Sequence, residues 1–500
     1  MTSTKVSLES GLISPDLETI STAKKILEQE KVKFVLCAFT DVRGIFQSFT
    51  TPVHHFLKGD QYFESGIGFD GSSIRGFREL HTSDMIFYPD PQALYVLPWT
   101  EGIQKTAVII GSIREPFGSI EAADCDPRGY VGQQAVDKAA SMGYTPYFGP
   151  EIEFFVFKSI DPSVLHYDLF VSPKGGAGDS WGPPRVDPVS PETDIGGYIL
   201  RPKEAYFRNP PEDTTYAYRN DLTYALESMG YTVEMHHHEV STKGQVELNY
   251  RYTDLIDTAD KVQIYKLAAR NIAAKYGWIA TFMPKPIYLD NASGMHVHNS
   301  IFKDGENAFW DPNDDYAEIS QICRYYIGGL LEHAEALTAI CCPTVNSYKR
   351  LVPGFEAPIN IMYSRRNRSA LIRIPMYLKG EKYKNRRRLE YRGVDPSTNS
   401  YFAFAAIVTA GLDGIKKKID PGDPVDRDVY EMSESEKKAA GVKQLPTTLK
   451  DALDALENDS ISKEILGSHL YDAFVEYKTN EWNQYCLYVT PWEIMKYLDY

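Results

Sequence analysis

The segment HHHEVSTKGQVELNY, residues 236–250, contains two runs of residues on either side of the turn-forming stretch Ser-Thr-Lys-Gly-Gln. This pattern favours a β-hairpin. Glu239 and Glu247 flank the turn, so a hairpin would place their carboxylates side by side on neighbouring strands. The segment therefore predicts a sheet that carries acidic side chains at a turn between two strands.

Three other strand-like segments carry polar residues two positions apart, in PEIEFFVF, GMHVHNSI and RRRLEYR. Side chains at this spacing lie on the same face of a strand. The residues are Glu151 and Glu153, His296 and His298, and Arg388, Glu390 and Arg392. A single pair of this kind is usually a solvated strand face, and a triple-histidine run is more often a local accident than a metal site.

Four such segments that face one cleft are harder to explain as solvated surfaces. Several carboxylates cannot share one cleft unless cations neutralise them. Oxygen-rich sites with one imidazole suit magnesium or manganese better than zinc. The pattern therefore predicts a cleft that binds two divalent ions.

A basic cluster follows in SYKRLVPGFEAP and YSRRNRSALIRIP. Its arginines are Arg350, Arg365, Arg366, Arg368 and Arg373. A run this basic is usually a solvated face, but the interleaved Ile, Leu and Pro residues indicate partial burial and paired anions. Guanidinium groups bind phosphate and carboxylate in a two-pronged manner. Beside a metal-carboxylate cleft, they suit phosphoryl transfer from a nucleotide.

The composition limits the classes of partner. The chain has 500 residues, 43% apolar and 24% charged, which is long enough for two domains. A net charge of −15 argues against nucleic acid or an anionic membrane as a general partner. No stretch approaches the roughly 20 apolar residues of a membrane helix. The N-terminus lacks a signal-peptide layout, and the scattered cysteines indicate a cytoplasmic protein.

Periodicity along the chain predicts two domains, residues 1–120 and 121–500. The first is a small α+β domain with a helix near residues 16–31, and strands on both sides of a turn at residues 41–44. The second holds a Gly-, Pro- and Ser-rich surface excursion at about residues 161–211. Helices are predicted at 216–230, 255–278 and 316–340, and over most of the chain from residue 400, with a break at 420–424.

Seven motifs occur in one order along nearly the whole chain. They are FDGSSI (69–74), PEIEFF (150–155), HHHEVSTKGQVE (236–247), SGMHVH (293–298), NSYKRLVPGFEAP (346–358), RNRSALIRIP (366–375) and LEYRGVDP (389–396). Together they resemble the glutamine synthetases of the bacterial and archaeal type. The resemblance implies an α+β fold with a small β-grasp-like N-terminal domain. It also implies a large catalytic domain with a curved antiparallel half-barrel sheet flanked by helices.

The resemblance also implies a reaction. It is the ATP-dependent ligation of ammonia to the γ-carboxylate of L-glutamate through γ-glutamyl phosphate, with two or three Mg²⁺ ions, or Mn²⁺. The family forms dodecamers of two hexameric rings with active sites shared between subunits. Two alternatives remain: a related ligase that joins glutamate to another amine, which should lack the ammonium aspartate, and a catalytically silent relative, which should lack metal ligands.

Carried over by position, the resemblance assigns metal ligands and glutamate contacts. Glu153, Glu239 and Glu247 would hold the metal nearer glutamate, and Glu151, His296 and Glu390 the metal that bridges the phosphates. Arg350, Arg392 and Asn291 match the positions that contact glutamate. All six positions predicted to bind metal keep a carboxylate or imidazole, which argues against a silent relative.

The remaining roles concern ATP and proton transfer. The positions that match the ATP site are Glu234, Tyr252, His298, Ser300, Arg368, Arg373 and Arg388. Arg368 would also contact glutamate and stabilise the transferring phosphoryl group. Asp70 matches the aspartate that a neighbouring subunit supplies to bind ammonium and take its proton. Glu356 matches the flap residue that closes over the intermediate and removes the last proton.

Four features depart from the family pattern. Ala292 stands where the family usually has a glycine that contacts glutamate, and the 161–211 excursion is longer than in compact members. A basic insertion at residues 378–387 is either a phosphate contact or a surface loop. Tyr430 matches a tyrosine that some relatives modify with AMP, but its surroundings resemble the unmodified branch. Glu79 stands where that branch has an arginine needed for feedback by glutamine.

Overall fold

The N-terminal part of the chain forms a five-stranded mixed sheet with the order β2-β1-β5-β4-β3 within the described residues. The computed structural model describes residues 17–117, 121–159, 174–175, 203–241, 244–353, 357–375, 378–427, 429, 432–439 and 441–500. The strands of this sheet are β1 Phe34–Thr40, β2 Phe46–Pro52, β3 Ile67–Asp70, β4 Asp84–Val96 and β5 Thr106–Arg114. β1 and β5 are parallel, and the other neighbours are antiparallel.

Helix α1, Leu17–Gln29, contributes Ile20, Ala23 and Leu27 to the core of this part. It agrees with the helix predicted at 16–31. Short helices follow: α2 His54–Leu57, α3 Gln61–Ser65, and 3₁₀-helices Leu80–Thr82 and Gly102–Gln104. The predicted turn at 41–44 is present, because the amide of Gly44 donates to the carbonyl of Asp41 at 3.0 Å.

A second, larger sheet runs through the rest of the chain in the order β17-β14-β15-β16-β12-β6-β9-β8. The strands are β6 Thr145–Ser159, β7 Lys174–Gly175, β8 Val233–His238, β9 Gln245–Tyr250, β10 Thr253–Asp254, β11 Ile279–Thr281, β12 Met295–Lys303, β13 Glu306–Asn307, β14 Asn360–Arg365, β15 Ala370–Ile374, β16 Leu389–Tyr391 and β17 Lys443–Gln444. The pairing is antiparallel throughout the described strands except between β14 and β15, which are parallel. β8 and β9 form the hairpin predicted for residues 236–250.

Helices pack against this sheet and supply most of the buried apolar residues in the core that they share with it. They are α4 Gln133–Ser141, α5 Tyr216–Ser228, α6 Leu255–Lys275, α7 Gln321–Glu332, α8 Ala334–Cys341, α9 Ser347–Arg350, α10 Ser400–Lys417, α11 Glu434–Ala439, α12 Leu449–Asn458, α13 Ser462–Leu487 and α14 Pro491–Tyr497, with a π-helix Pro127–Gly132 and a 3₁₀-helix Glu381–Arg386. None of the helices in these described ranges combines the length and apolar character needed to cross a bilayer.

Helix α10 is the central buried helix, since every residue from Ser400 to Gly414 is buried. Asn399 caps its first turn by accepting from the amides of Tyr401 and Phe402. Helix α7 packs closely against it at Gly329, where a Cβ atom would lie 2.1 Å from the carbonyl oxygen of Ala410. A side chain at position 329 would therefore separate the two helices.

The single helix predicted at 316–340 is wrong in its length and continuity. Ser320 caps the start of α7, and His333 separates α7 from α8. The His333 ring bonds Asp459 through Nδ1 at 2.8 Å and Asp413 through Nε2 at 3.0 Å. A local sequence pattern does not register this break, because both aspartates lie far away along the chain.

The predicted surface excursion lies mostly outside the described residues. Within it, Lys174–Gly175 pairs with β6, and residues 203–211 lead back towards α5. Glu356 and Tyr430 also lie outside the described residues.

Candidate active site

Neighbouring strands of the larger sheet bring the predicted acidic and imidazole groups together. Residues directly opposite each other in the antiparallel pairs include His296 and Glu151, and Glu153 and Glu247. His298 lies opposite Glu390 on the next strand. Because opposite residues on one sheet face are near neighbours, the strand register alone gathers these side chains in one cleft.

Two groups within this cleft have the geometry of a metal site. One ligand atom from each of Glu151, His296 and Glu390 lies within 4.8 Å of the others. The same holds for His237, Glu239 and Glu247. The first group is the set predicted for the phosphate-side ion. The second contains two of the three residues predicted for the glutamate-side ion, together with an imidazole that was not assigned.

Glu153 belongs electrostatically to the second group. Its burial and the nearby Glu247 carboxylate raise its pKa to about 8. Burial, Glu153 and Glu247 together raise the pKa of Glu239 to about 10. Carboxylates this close repel one another when ionised, so the oxygen-rich donor set fits a hard divalent ion that would neutralise them.

In the first group, neighbouring arginine and imidazole side chains balance the negative charge of the carboxylates. Glu390 is fully buried, and although burial alone would raise its pKa, Arg392, His298 and Arg373 lower it to about 2. Arg392 donates from Nη1 to Glu390 at 2.7 Å. Arg392 was predicted to contact glutamate. In this structure one of its nitrogens is hydrogen-bonded to Glu390, which is a predicted metal ligand.

His298 connects the metal cleft to the predicted nucleotide end. Its Nε2 lies 2.9 Å from Glu151, and Arg388 donates to its Nδ1 at 3.0 Å. A neutral imidazole that accepts at Nδ1 carries its proton on Nε2, so His298 donates to Glu151. Beyond it, Ser300 lies opposite Tyr147 on β6, and the Tyr147 ring contacts that of Tyr252 edge-on at 5.8 Å.

A small cavity of about 40 Å³ lies beside these two groups of candidate metal ligands. It is lined by Glu153, Glu239, Gln245, Asn291, Ala292, Gly294, His296, Arg350, Ala357 and Arg392. Arg350 and Arg392 are buried, and neither Nη1 of the first nor Nε of the second has a hydrogen-bond partner among the residues that the structure describes. Buried unsatisfied donors are costly, so these two nitrogens fit a carboxylate ligand.

Gln245 and Tyr206 were not predicted as site residues. The buried Gln245 amide donates to the Ala292 carbonyl at 3.0 Å and to Glu153 at 3.3 Å. Tyr206 lies near Glu239 and Glu247 and is hydrogen-bonded to Arg368. His237, the unassigned imidazole of the second group, belongs to the triple-histidine run noted in the sequence. Tyr206 gave no periodic signal, because it lies within the irregular excursion at about residues 161–211.

Two predicted residues, Asp70 and Glu234, are not part of this cluster. Asp70 is on β3 of the N-terminal sheet, fully exposed, with its carboxylate accepting from the amide and hydroxyl of Ser72. Glu234 is exposed in an irregularity of the edge strand β8. Neither residue belongs to the two groups of candidate metal ligands, and neither lines the cavity beside them.

Two family models match the chain. The model for the glutamine synthetase β-grasp domain matches residues 31–116, and the model for the glutamine synthetase catalytic domain matches residues 124–497. The catalytic match alone covers more than half of the chain. This chain belongs to the glutamine synthetase family.

Relatives named glutamine synthetase match it from end to end. The relative from Archaeoglobus fulgidus is 58% identical, covering 97% of this chain and 98% of its own. The relative from Sulfolobus acidocaldarius is 45% identical, with 95% and 98% covered. A solved structure titled "GmaS/ADP complex-Conformation 1" superposes with a TM-score of 0.78 at 28% identity, covering 96% of this chain and 99% of that chain.

These matches confirm the predicted fold class and function. The glutamine synthetase fold here combines a β-grasp N-terminal domain, a curved half-barrel sheet and surrounding helices. The enzyme is a glutamate-ammonia ligase that makes glutamine from glutamate and ammonia in an ATP-dependent reaction.

Proposed function

We propose that the cleft between β6, β9, β12 and β16 carries out this ligation through γ-glutamyl phosphate. The observation that carries the proposal is the adjacency of two carboxylate-imidazole groups to two buried arginine nitrogens that have no partner among the described residues. The first feature suits divalent ions with phosphates, and the second suits the carboxylates of an amino acid.

In this proposal, Glu151, His296 and Glu390 hold one divalent ion, and Glu153, Glu239 and Glu247 hold another, with His237 within reach of the second. Two or three Mg²⁺ ions, or Mn²⁺, would neutralise the negative charge of the phosphates and of the carboxylate that they approach. The residues proposed to bind ATP are His298, Ser300, Tyr252, Arg373, Arg388 and Glu234.

Arg350, Arg392 and Asn291 orient glutamate so that a γ-carboxylate oxygen attacks the γ-phosphorus of ATP. A P–O bond forms, the bond to the ADP oxygen breaks, and ADP carries away that electron pair. Arg368 stabilises the charge on the transferring phosphoryl group. The resulting acyl phosphate has a good leaving group, which a free carboxylate lacks.

Ammonium must lose a proton before it can attack the acyl carbon. The partner subunit's Asp70 accepts that proton, and ammonia then displaces phosphate. Glu356 takes the surplus proton from the nitrogen of the newly formed C–N bond, which leaves the neutral amide, and helps to exclude water from the acyl phosphate. Within one chain Asp70 is exposed on β3 of the N-terminal sheet and is not among the residues that line the cavity beside the candidate metal ligands, which supports this sharing.

The proposed assembly is a homo-oligomer of two hexameric rings in the cytoplasm. The C-terminal residues support self-association, since Leu487, Val489, Leu498 and Tyr500 are 66–98% exposed. Apolar side chains exposed in one continuous segment commonly mark an interface. Truncation after residue 486 is expected to reduce the particle mass, as measured by light scattering.

The decisive assay measures phosphate release from ATP with glutamate, Mg²⁺ and either ammonium or a panel of amines, with products identified by mass. Ammonium-dependent phosphate release with equimolar glutamine supports the proposal. Release of one phosphate per product, together with loss of activity in Glu151→Gln and Arg368→Ala, supports the assigned roles. Turnover only with a larger amine would reject ammonia as the nucleophile.

A further inference from the structure

The loop between β14 and β15 carries Arg368, and a distant part of the chain holds this loop in place. That part comprises residues 425–427, 429 and 432 and is called here the 425–432 segment; residues 428, 430 and 431 lie outside the described residues. Its first contact is a backbone hydrogen bond from the amide of Val425 to the carbonyl of Tyr363 on β14, at 3.0 Å.

Asp426 makes the main polar contacts of the segment. Its carboxylate accepts from the hydroxyl of Ser364 at 2.6 Å and from the phenol of Tyr316 at 2.7 Å. It also accepts from the amide and Nε of Arg365, at 3.2 and 3.0 Å. The Arg365 guanidinium stacks on the Tyr316 ring at 4.7 Å. One carboxylate thus joins the end of β14 to a tyrosine outside the strand.

Two further contacts act on the loop beyond Arg365. The side-chain amide of Asn367 donates to the Arg427 carbonyl at 2.9 Å. The same Asn367 accepts from the amide and hydroxyl of Ser369, which closes the loop around Arg368. Below the loop, Val429 and Met432 pack with Met362 and Ala370 in a separate buried apolar cluster.

Arg368 itself is exposed and reaches Tyr206 in the active site. Residues 364, 365, 367 and 369 around it are hydrogen-bonded, and Asp426 or Arg427 accepts from three of them. The position of the guanidinium therefore depends on the 425–432 segment, although no residue of this segment lines the cavity beside the metal groups.

We propose that the 425–432 segment is a positioning element for Arg368 and that Asp426 is its principal contact. The inference rests on the proposed role of Arg368 in phosphoryl transfer. Because a displacement of about 1 Å at a charged group can cost ~100-fold in rate, loss of the Asp426 contacts lowers kcat through Arg368. Arg368 is one of several predicted glutamate contacts, and most of the binding is spared because Arg350 and Arg392 belong to other elements.

The test is a double-mutant cycle in kcat on the full-length assembled enzyme, with Asp426→Ala, Arg368→Ala and both together. We expect Asp426→Ala to lower kcat ~10- to 100-fold with a KM for glutamate within ~2-fold of the wild type. In the Arg368→Ala background the same change should cost less than ~3-fold, because residues that act as a unit are not additive.

Asp423→Asn is the control, because it removes one negative charge just before the segment. Within the described part of the chain, Asp423 makes no hydrogen bond to residues 365–369, and its kcat should match the wild type. If Asp426→Ala does not assemble, Tyr316→Phe removes one of the Asp426 contacts and should lower kcat by a smaller factor in the same cycle.

Wild-type kcat in assembled Asp426→Ala, or effects that multiply fully with those of Arg368→Ala, would overturn the inference while leaving the role of Arg368 intact. A purely structural role predicts this multiplication together with a lower melting temperature. Unchanged kcat in Arg368→Ala would instead reject both the inference and the assigned role of Arg368, so the two failures are distinguishable.

Discussion

Replacement of Arg350 by Met should weaken glutamate binding without unfolding the enzyme. Arg350 is buried, and its Nη2 donates to the Arg392 carbonyl at 3.1 Å, while its Nη1 has no hydrogen-bond partner in the ranges that the structure describes. The change therefore removes one protein hydrogen bond, worth about 1 kcal/mol of unfolding free energy. A charge-assisted bond from Nη1 to a glutamate carboxylate is worth about 1.5–3 kcal/mol.

At about 1.4 kcal/mol per tenfold change, that loss corresponds to a ~10- to 150-fold higher KM for glutamate. Steady-state phosphate release measures the KM for glutamate when glutamate is varied at saturating ATP and ammonium. The same assay measures the KM for ATP when ATP is varied at saturating glutamate. The KM for ATP should change less than ~3-fold. Arg208→Met is the matched control: Arg208 is exposed, pairs with Glu204 and Glu212 and donates to the Glu204 carbonyl, and its replacement should leave both constants unchanged.

A KM for glutamate within ~2-fold of the wild type in folded Arg350→Met would refute the assignment. It would mean that the Nη1 donor does not meet a substrate carboxylate. A rise in the KM for ATP alone would place the anion in this cavity on the nucleotide side.

Three further perturbations test other parts of the structure. Arg128→Met should lower the unfolding free energy by about 3–5 kcal/mol in chemical denaturation, because the buried Asp260 carboxylate loses the guanidinium that pairs with it at 2.9 Å. A loss below about 1 kcal/mol would contradict the importance of this ion pair. Glu239→Gln should reduce the Mg²⁺-dependent rise in melting temperature, since ion binding to the folded state produces that rise and Glu239 serves one of the two proposed ions; an unchanged rise would exclude Glu239 as a ligand. His333 should stabilise the fold only at lower pH. Burial alone would lower its pKa, but hydrogen bonds to Asp459 and Asp413 raise the pKa of the folded state above the ordinary 6.5. Its contribution is therefore complete below about 6.5 and lost as pH rises through the folded pKa, so the stability difference between the wild type and His333→Asn should shrink between pH 6 and 9; a difference that grows with pH would reverse the assignment.

The strand pairs were predictable because their chemistry is local. The spacing of Glu151 and Glu153 fixes their shared face whatever the rest of the chain does, since strand side chains alternate with a period of two residues. The ordered motifs then identified the family, and with it the fold and the reaction. The helices at 216–230 and 255–278 were also visible, because each has its own apolar pattern; their ends differ from the prediction by two or three residues.

Contacts between distant segments were not predictable from the same patterns. The break at His333 depends on Asp413 and Asp459, and the loop of Arg368 depends on Asp426. In each case the partner is separated by tens of residues, and neither residue has a local feature that points to the other. Gln245 looked like an ordinary turn residue until the fold placed its amide between Glu153 and the Ala292 carbonyl.

The sequence by itself determined the family, the reaction and which residue types enter the cleft, because these depend on motifs and on the two-residue repeat of a strand. Only the tertiary structure decided how charge is shared among them. Two arginines pair with Glu390 and lower its pKa to about 2. Burial and neighbouring carboxylates raise the pKa of Glu239, also a candidate metal ligand, to about 10. The physical reason is that pKa depends on burial and on the charges within a few ångströms, and those neighbours come from strands and loops that are remote in the sequence.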